Sequence, residues 1–392
     1  MGSVLSLLVM FRFLLVFQVL LSSLLAVADV LENLPGPKNP TPLDNFILEG
    51  MKEAKVPGLA ALTLKEGKIF WTGYYGWANI KEKRLVTQDT LFQVASISKT
   101  VTACMIMQQV EKGELDLDVD INTYLPFKVR NPKHADQPIT LRQLLCHTSG
   151  IRDNWAVLED QWVKNGDYKE SLAKSLPAYL IEGGKFFSAK KSFYNWAPGT
   201  KNKYCNVAVA LAAHVAEVKL KTPFETLCTQ GLFKPLNMEG AGFLMSSVDL
   251  KKVAMPYGYR KKSGSFKVLG HHGYIDYPAG TLRASAPHLA KFLMMFMGGG
   301  KLDDVRILKK ETVEAMMKIQ YPKLDKKQGI GWYYMRIGAI RMIGHDGGDP
   351  GVATQMFCQP EEGTGIIILM NGEPKKGSFE KALAQRLVDE LK

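Results

Sequence analysis

Segments with the pattern of β-strands lie near both ends of this chain, and they constrain its fold more than any other feature. Near the start, Leu59–Lys65 and Lys68–Tyr75 are predicted strands joined by a short turn. Near the end, Gln355–Gln359 and Ile366–Met370 are short apolar runs typical of buried strands. Because a sheet must bury an apolar face against another layer, we expect the two ends to pair in one antiparallel sheet covered by helices.

The segments between these predicted strands carry mainly helical patterns, interrupted by loops. We therefore expect an α+β fold, with an antiparallel sheet flanked by helices and built from both chain ends. Residues 114–245 are predicted to form a mainly helical insertion beside this sheet, with the functional site in the crevice between the two parts. The predicted helices are Leu43–Ala54, Ser96–Lys112, Leu141–Cys146, Tyr168–Ile181, Val207–Val218, Pro287–Met297 and Phe379–Leu391.

The chain of 392 residues has a formal net charge of +12, which could attract an anionic partner. Its lysine pairs lie far apart in sequence, however, and no long basic run contains interleaved aromatic residues. This distribution indicates a solvated surface and does not favour nucleic acid as a partner. We expect a small-molecule, peptide or ester substrate.

The cysteines are few and widely separated. Their odd number and spacing match neither a disulfide framework nor a zinc site, although the sequence leaves room for one or two bridges. We predict no metal and no other cofactor. The five cysteines are Cys104, Cys146, Cys205, Cys228 and Cys358.

The N-terminal segment has the features of a secretory signal. A long apolar run follows Arg12, and Ala26-Val27-Ala28 has the small-x-small pattern of a signal-peptidase site. Residues 1–28 are therefore predicted to be a signal peptide, and residues 29–392 a single domain located outside the cell or in a periplasm. The alternative is an uncleaved membrane anchor, because residues 4–27 are long enough to span a bilayer.

Ser96-Ile97-Ser98-Lys99 is the first candidate catalytic pattern. Positions i and i+3 of a helix lie on one face, so Lys99 can reach the Ser96 hydroxyl and remove its proton. Burial and a nearby cation would lower the pKa of Lys99 enough for this role. Taken alone, the pattern fits equally a helix N-cap at Ser96 and a solvated lysine.

Tyr204-Cys205-Asn206 is the second candidate pattern. A phenol close to a lysine ammonium can share its proton and act as acid/base for a leaving group. The Asn206 amide could hold a substrate carbonyl and orient Lys99. Taken alone, Tyr204 fits a half-buried packing residue.

The third pattern is His345-Asp346-Gly347-Gly348, which precedes a predicted strand. Its glycines would allow the backbone to approach a bound acyl group closely. Taken alone, the histidine fits a structural role.

The order and spacing of these three patterns resemble those of the serine β-lactamases and penicillin-binding proteins. The closest resemblance is to the branch that contains class C β-lactamases, D-alanyl-D-alanine carboxypeptidases and esterases. It covers about residues 55–370 and implies the β-lactamase/transpeptidase-like fold. Further support comes from Phe92–Ala95, Leu141–Ile151, Pro198-Gly199, Pro235–Met238 and Pro278–Gly280.

The resemblance also implies roles for individual residues. Ser96 would form the acyl-enzyme, Lys99 would activate it, and Tyr204 would serve as general acid/base in acylation and deacylation. Asn206 would contact the substrate amide, and the backbone N–H groups of Ser96 and Gly348 would form the oxyanion hole.

Two predicted substrate-binding positions depart from the family pattern. His345 stands where many relatives have Lys, and Asp346 where they have Thr or Ser. A histidine is largely neutral at pH 7, and Asp346 adds negative charge where β-lactam and peptide carboxylates dock. These departures favour an esterase, amidase or peptidase that acts on uncharged or cationic substrates.

The sequence thus predicts a secreted serine hydrolase that forms a Ser96 acyl-enzyme on an ester or amide substrate. Acyl transfer to an amine or alcohol at the same site is an alternative that no sequence feature separates from hydrolysis. A non-catalytic binding protein on the same fold is the other alternative. The joint presence of Ser96, Lys99 and Tyr204 argues against it.

Overall fold

Strands from both ends of the chain pair in one seven-stranded antiparallel sheet. The computed structural model describes residues 30–374 and 379–392, so the leader predicted over residues 1–28 lies outside the described residues. In the centre of the sheet Leu59 lies opposite Met370, which makes an early strand and a late strand direct neighbours. This arrangement, with helices on the sheet, confirms the predicted fold class.

The strands of the described residues are β1 (Gly58–Lys65), β2 (Lys68–Asn79), β3 (Arg84–Leu85), β4 (Phe92–Gln93), β5 (Val163–Lys164), β6 (Tyr257–Arg260), β7 (Ser265–Val268), β8 (His272–Gly273), β9 (Arg283–Ala284), β10 (Lys301–Leu302), β11 (Val305–Arg306), β12 (Tyr333–Ile337), β13 (Ile340–Asp349), β14 (Val352–Gln359) and β15 (Thr364–Met370). In the large sheet the strand order is β12-β13-β14-β15-β1-β2-β3, and the remaining strands form two-stranded pairs.

The main helices lie on the two faces of the sheet and beside it. They are α1 (Pro42–Ala54), α2 (Ser98–Glu111), α3 (Leu141–Leu145), α4 (Trp155–Asp160), α5 (Leu172–Leu180), α6 (Asn206–Leu220), α7 (Phe224–Cys228), α8 (Ala286–Met297), α9 (Lys310–Met317) and α10 (Phe379–Asp389).

Both faces of the central strands are buried, which explains why these strands are apolar throughout. Successive side chains of a strand point to opposite faces. In β1, Leu62 and Leu64 belong to the large core that contains α2, α6 and α8, whereas Leu59 and Ala61 belong to a smaller core. The smaller core lies against α1 and α10, so the terminal helices cover the face remote from the site.

Several predicted elements differ from the observed ones. The helix predicted from Tyr168 begins at Leu172, because Ser171 at its N-cap position has an extended backbone. The helix predicted over Ser96–Lys112 begins at Ser98, and Ser96 lies in the preceding 3₁₀ turn. The strands β12 and β13 were not predicted, since polar residues and glycines interrupt their apolar pattern.

Residues 114–245, all of them described, contain the helices α3 to α7 and the short strand β5. None of the helices within residues 30–374 and 379–392 has the length and apolar composition needed to cross a membrane. The five cysteine side chains, all in the described part of the chain, are buried free thiols.

Candidate active site

Ser96 lies on a tight turn between the short strand β4 and helix α2. Ala95 has a left-handed backbone (φ 48°), which turns the chain sharply just before Ser96. Strand β13 passes close to this turn: a Cβ atom at Gly347 would lie 2.6 Å from the carbonyl oxygen of Val94. Only glycine allows this approach, so Gly347 brings the strand against the turn that carries Ser96.

The three predicted catalytic side chains meet at the Ser96 hydroxyl. Lys99 Nζ lies 2.9 Å from Ser96 Oγ, and the phenol oxygen of Tyr204 lies 2.8 Å from the same atom. Lys99 Nζ is also 4.8 Å from the centre of the Tyr204 ring. Both neighbours of the hydroxyl can therefore exchange protons with it.

Lys99 is buried, with 1% of its surface exposed, and its Nζ donates a hydrogen bond to the Ala279 carbonyl oxygen (2.7 Å). Burial lowers the pKa of Lys99 to about 8, although the carboxylates of Asp276 and Asp153 act in the opposite direction. A nearby cation, which the sequence analysis also invoked, is not among the causes of the shift. Lys99 is thus close to its own titration midpoint at physiological pH.

Tyr204 is held by its neighbours on both sides. Its ring packs against that of His147, with 4.4 Å between the ring centres. The His147 Nδ1 atom accepts a hydrogen bond from the Cys205 backbone N–H (3.2 Å). Burial, followed by the charge of Lys99, lowers the pKa of His147 to about 3, so its ring is neutral and able to accept this bond.

Desolvation by the surrounding protein raises the pKa of Tyr204 above its ordinary value, even though 42% of the residue faces the open cleft. The hydrogen bond with Ser96 acts in the opposite direction and is the smaller effect. Tyr204 therefore holds its proton at neutral pH and donates a hydrogen bond to Ser96 Oγ.

Asn206 lies in the same cleft, but its partner is Asp153. The Asn206 side-chain amide donates a hydrogen bond to the Asp153 carboxylate (2.9 Å), as do the backbone N–H groups of Asn206 (2.8 Å) and Val207 (3.1 Å). Asp153 thus satisfies free N–H groups at the start of α6. The expectation that Asn206 orients Lys99 is not met: Lys99 Nζ bonds to Ser96 and Ala279 instead.

Replacing Asp153 with Ala removes this cap and leaves the first turn of α6 without its acceptor. We expect Asp153→Ala to lower the free energy of unfolding by about 1–2 kcal/mol. Urea denaturation followed by circular dichroism measures the change, with Asp153→Asn as the variant that keeps one acceptor oxygen. Equal stability of wild type and Asp153→Ala would show that the cap contributes nothing.

His345 precedes β14, the strand predicted from the sequence, and itself lies within strand β13, which was not predicted. Its ring is 4% exposed, and its Nδ1 atom is 2.5 Å from the Asp346 carbonyl oxygen. Burial, followed by the charge of Lys99, lowers the pKa of His345 to about 4, so the ring is neutral at pH 7. Asp346 points outward and accepts a hydrogen bond from the Tyr333 hydroxyl (2.7 Å).

Two cavities meet at the nucleophile, and Ser96, Tyr204 and Gly348 line both. We call the first the aromatic cavity; it measures about 230 Å³ and is lined also by Trp155 and Trp162. The second measures about 320 Å³ and is lined by four of the five predicted substrate-binding residues, whereas the fifth, Asn206, lines the aromatic cavity. Its remaining lining residues include His147, Asn202, Asp325, Gln328, Tyr333, His345, Asp346 and Gly347.

Sequence reasoning missed the residues that surround the three catalytic candidates. Asp153 and Asp276 belong to none of the patterns quoted from the sequence, because each reaches the site through the folding of distant loops. His147 lies within Leu141–Ile151, which supported the family resemblance, but no role was assigned to it. The Ala279 carbonyl is similar: it belongs to a recognised Pro-Ala-Gly sequence that gave no reason to place it at Lys99.

Comparison with known proteins gives the family. The family model described as Beta-lactamase matches residues 43–390. The chain is 25% identical to a Pseudomonas fluorescens β-lactamase over 82% of this chain and 80% of that protein. It is 26% identical to esterase EstB of Burkholderia gladioli over 55% of this chain and 54% of that protein.

The matches also include longer proteins and solved structures. The chain spans 62% of the length of protein flp from Staphylococcus aureus, to which it is 21% identical over 84% of its own residues. A penicillin-binding protein homologue from Pyrococcus abyssi superposes with a TM-score of 0.72 and 25% identity, covering 89% of this chain and 76% of that one. With a family model that spans nearly all of the described residues, this chain belongs to the β-lactamase family.

Proposed function

We propose that this member of the β-lactamase family is a serine hydrolase that cleaves an ester or amide through an acyl-enzyme on Ser96. The single observation that carries the proposal is the position of the Ser96 hydroxyl, 2.9 Å from Lys99 Nζ and 2.8 Å from the Tyr204 phenol. A serine hydroxyl is a weak nucleophile until a base removes its proton, and both groups lie within hydrogen-bond distance.

Acylation begins with the neutral form of Lys99. Its lone pair accepts the Ser96 proton, while an N–H of the same group stays bonded to the Ala279 carbonyl. Ser96 Oγ then attacks the substrate carbonyl carbon, and the negative charge on the carbonyl oxygen is met by the backbone N–H groups of Ser96 and Gly348. Tyr204 gives its proton to the leaving group and recovers one from the Lys99 ammonium.

Deacylation reverses these proton movements with water in place of the leaving group. Lys99 and Tyr204 together remove a proton from water, the hydroxide attacks the acyl carbon, and Ser96 leaves with a proton returned from Lys99. Each proton that leaves one group is taken up by another, so the residues regain their starting states after one turnover.

The charges around the second cavity favour substrates without a carboxylate. His345 is neutral there and Asp346 contributes a carboxylate, and none of the described residues that line the cavity is the lysine or arginine that an anionic substrate would need at this position. An ester or amide without a negative charge avoids repulsion by Asp346. We therefore propose esterase or amidase activity in preference to β-lactam hydrolysis.

The pH dependence of catalysis tests the role of Lys99. Burial lowers the pKa of Lys99 to about 8, so its neutral, basic form is populated above that pH and is lost below it. For a short-chain neutral ester, we expect kcat/KM to fall about tenfold per pH unit below 8 and to level off above it. A profile that stays flat from pH 6 to pH 9 would contradict this role.

Covalent labelling tests the proposal as a whole. A fluorophosphonate probe should add a single adduct to the folded protein, and peptide mass spectrometry should locate it on Ser96. Absence of an adduct from protein with an intact thermal unfolding transition would overturn the proposed function.

A further inference from the structure

The aromatic cavity beside Ser96 is lined by aromatic side chains of the kind that bind cations. Trp155, Trp162 and Tyr274 line it, and the rings of Trp162 and Tyr274 lie 5.3 Å apart. The faces of such rings carry partial negative charge and attract ammonium groups. The mechanism proposed above uses none of these three residues.

A carboxylate that receives no hydrogen bond from any other described residue lies in the same cavity. Asp276 is 9% exposed, and among the described residues no other residue donates a hydrogen bond to its side chain or forms an ion pair with it. Lys99, whose charge acts on Asp276, directs its Nζ to Ser96 and Ala279. The backbone N–H of Asp276 itself is the only donor to its carboxylate among the described residues. A buried carboxylate with so few donors is costly, which indicates that a ligand supplies a further one.

Asp349 lines the same cavity and, unlike Asp276, accepts hydrogen bonds from two other side chains. Its Oδ2 atom accepts hydrogen bonds from Gln93 Nε2 (2.6 Å) and from the Tyr274 hydroxyl. Burial raises the pKa of both Asp349 and Asp276 to about 7, and a further negative charge nearby adds to the shift in each case. A cation placed between them would offset this repulsion.

The described residues that line the approach to the cavity are mainly acidic, although the whole chain carries a net charge of +12. An outer groove shares Trp155, Trp162, Gly348 and Asp349 with the aromatic cavity. Among the described residues that line this groove, one is basic, Lys381, and five are acidic: Glu159, Asp346, Asp349, Glu373 and Glu380. A groove lined by one sign of charge concentrates ligands of the opposite sign.

From these observations we infer that the substrate carries a primary ammonium group, which Asp276 binds in the aromatic cavity while Ser96 attacks the ester or amide bond. The inference rests on the proposed function and adds the substrate class to it. A primary ammonium supplies N–H donors that no other described residue gives to this carboxylate, and its charge suits the aromatic walls. Asp276 is thus a substrate-binding residue, and the ammonium-bearing part of the substrate is fixed relative to the nucleophile.

Pairs of esters that differ only in one group test this inference. Methyl 6-aminohexanoate and methyl 3-aminopropanoate are compared with their carbon isosteres, methyl heptanoate and methyl butanoate. Because the ammonium could belong to either side of the ester, 6-aminohexyl acetate is compared with heptyl acetate. At pH 8 we expect kcat/KM for at least one amine to exceed that of its isostere by about tenfold or more.

The variant Asp276→Asn should bring this ratio close to one. The ratio is the proper measure, since loss of the Asp276 charge also alters the field at Lys99 and changes the rate for both members of a pair. Asp325→Asn is the matched control: it removes one carboxylate from the second cavity and should leave the ratio unchanged. A preference that survives in Asp276→Asn would overturn the assignment.

The outcomes separate this inference from the proposed function. Equal rates for amines and isosteres in the wild type, with Ser96-dependent cleavage of both, would overturn the inference and leave the hydrolase in place. Failure to cleave any of the esters, together with no fluorophosphonate adduct, would overturn the proposed function and the inference with it.

Discussion

Ser96→Ala should lose at least about a thousandfold in kcat/KM for any ester that the wild type cleaves. The reason is that Lys99 and Tyr204 both direct their polar atoms at Ser96 Oγ, and without that atom neither has a nucleophile to activate. The variant should also give no adduct with a fluorophosphonate probe. Steady-state kinetics and intact mass spectrometry measure the two effects independently.

The hydroxyl of Ser98 provides a matched control for this substitution. Ser98 is two residues away, at the start of α2, and its side chain accepts a hydrogen bond from the Leu282 backbone N–H (3.1 Å). Ser98→Ala removes the same atom from a structural position, so it should lower stability and still react with the probe. Turnover by Ser96→Ala at the wild-type rate would show that another group forms the covalent bond.

Lys99→Met should reduce kcat/KM by about a thousandfold and at the same time make the protein more stable at pH 7. Burial lowers the pKa of Lys99 from 10.5 to about 8, so the folded state holds the charged lysine less well than the unfolded state does. This penalty is complete below pH 8 and disappears as the pH rises toward 10.5. Removing it with an apolar side chain of similar length should stabilise the fold by roughly 1–3 kcal/mol.

A substitution that lowers kcat/KM and raises the free energy of unfolding distinguishes a catalytic lysine from a structural one, whose loss would lower stability. Lys99→Arg is the companion variant, because a guanidinium keeps the charge and cannot act as a base at these pH values. It should be as inactive as Lys99→Met without the gain in stability. Wild-type acylation by Lys99→Arg would mean that the position needs only a positive charge, and destabilisation by Lys99→Met would contradict the assigned cost of burial.

The parts of the fold that were predictable are those where local pattern and burial agree. The strands β1 and β15 are apolar because helices cover both faces of the sheet, and that pattern is visible without knowledge of the partner strand. Strand β13 was missed for the opposite reason. Glycine and charged residues interrupt it, and they serve the close approach at Gly347 and the outward position of Asp346.

The part of the site that could be predicted is likewise the part that depends on local sequence. Ser96 and Lys99 share a helical turn, so their contact follows from sequence spacing alone. The contact with Tyr204 spans 108 positions and came from resemblance to a family. Asp276 belongs to no motif, and only the folded chain places its carboxylate in the cavity beside the nucleophile.

The pairing of β1 with β15 sets the order in which activity can arise during biosynthesis. Leu59 pairs with Met370, and Gly347 packs against the Ser96 turn, only after the chain has been synthesised past residue 370. Contacts between residues so far apart form slowly, because a long loop must close first. A nascent chain therefore contains Ser96 and Lys99 long before the binding cleft has formed. We expect the Ser96 hydroxyl to be inactive until strands β13 to β15 have paired.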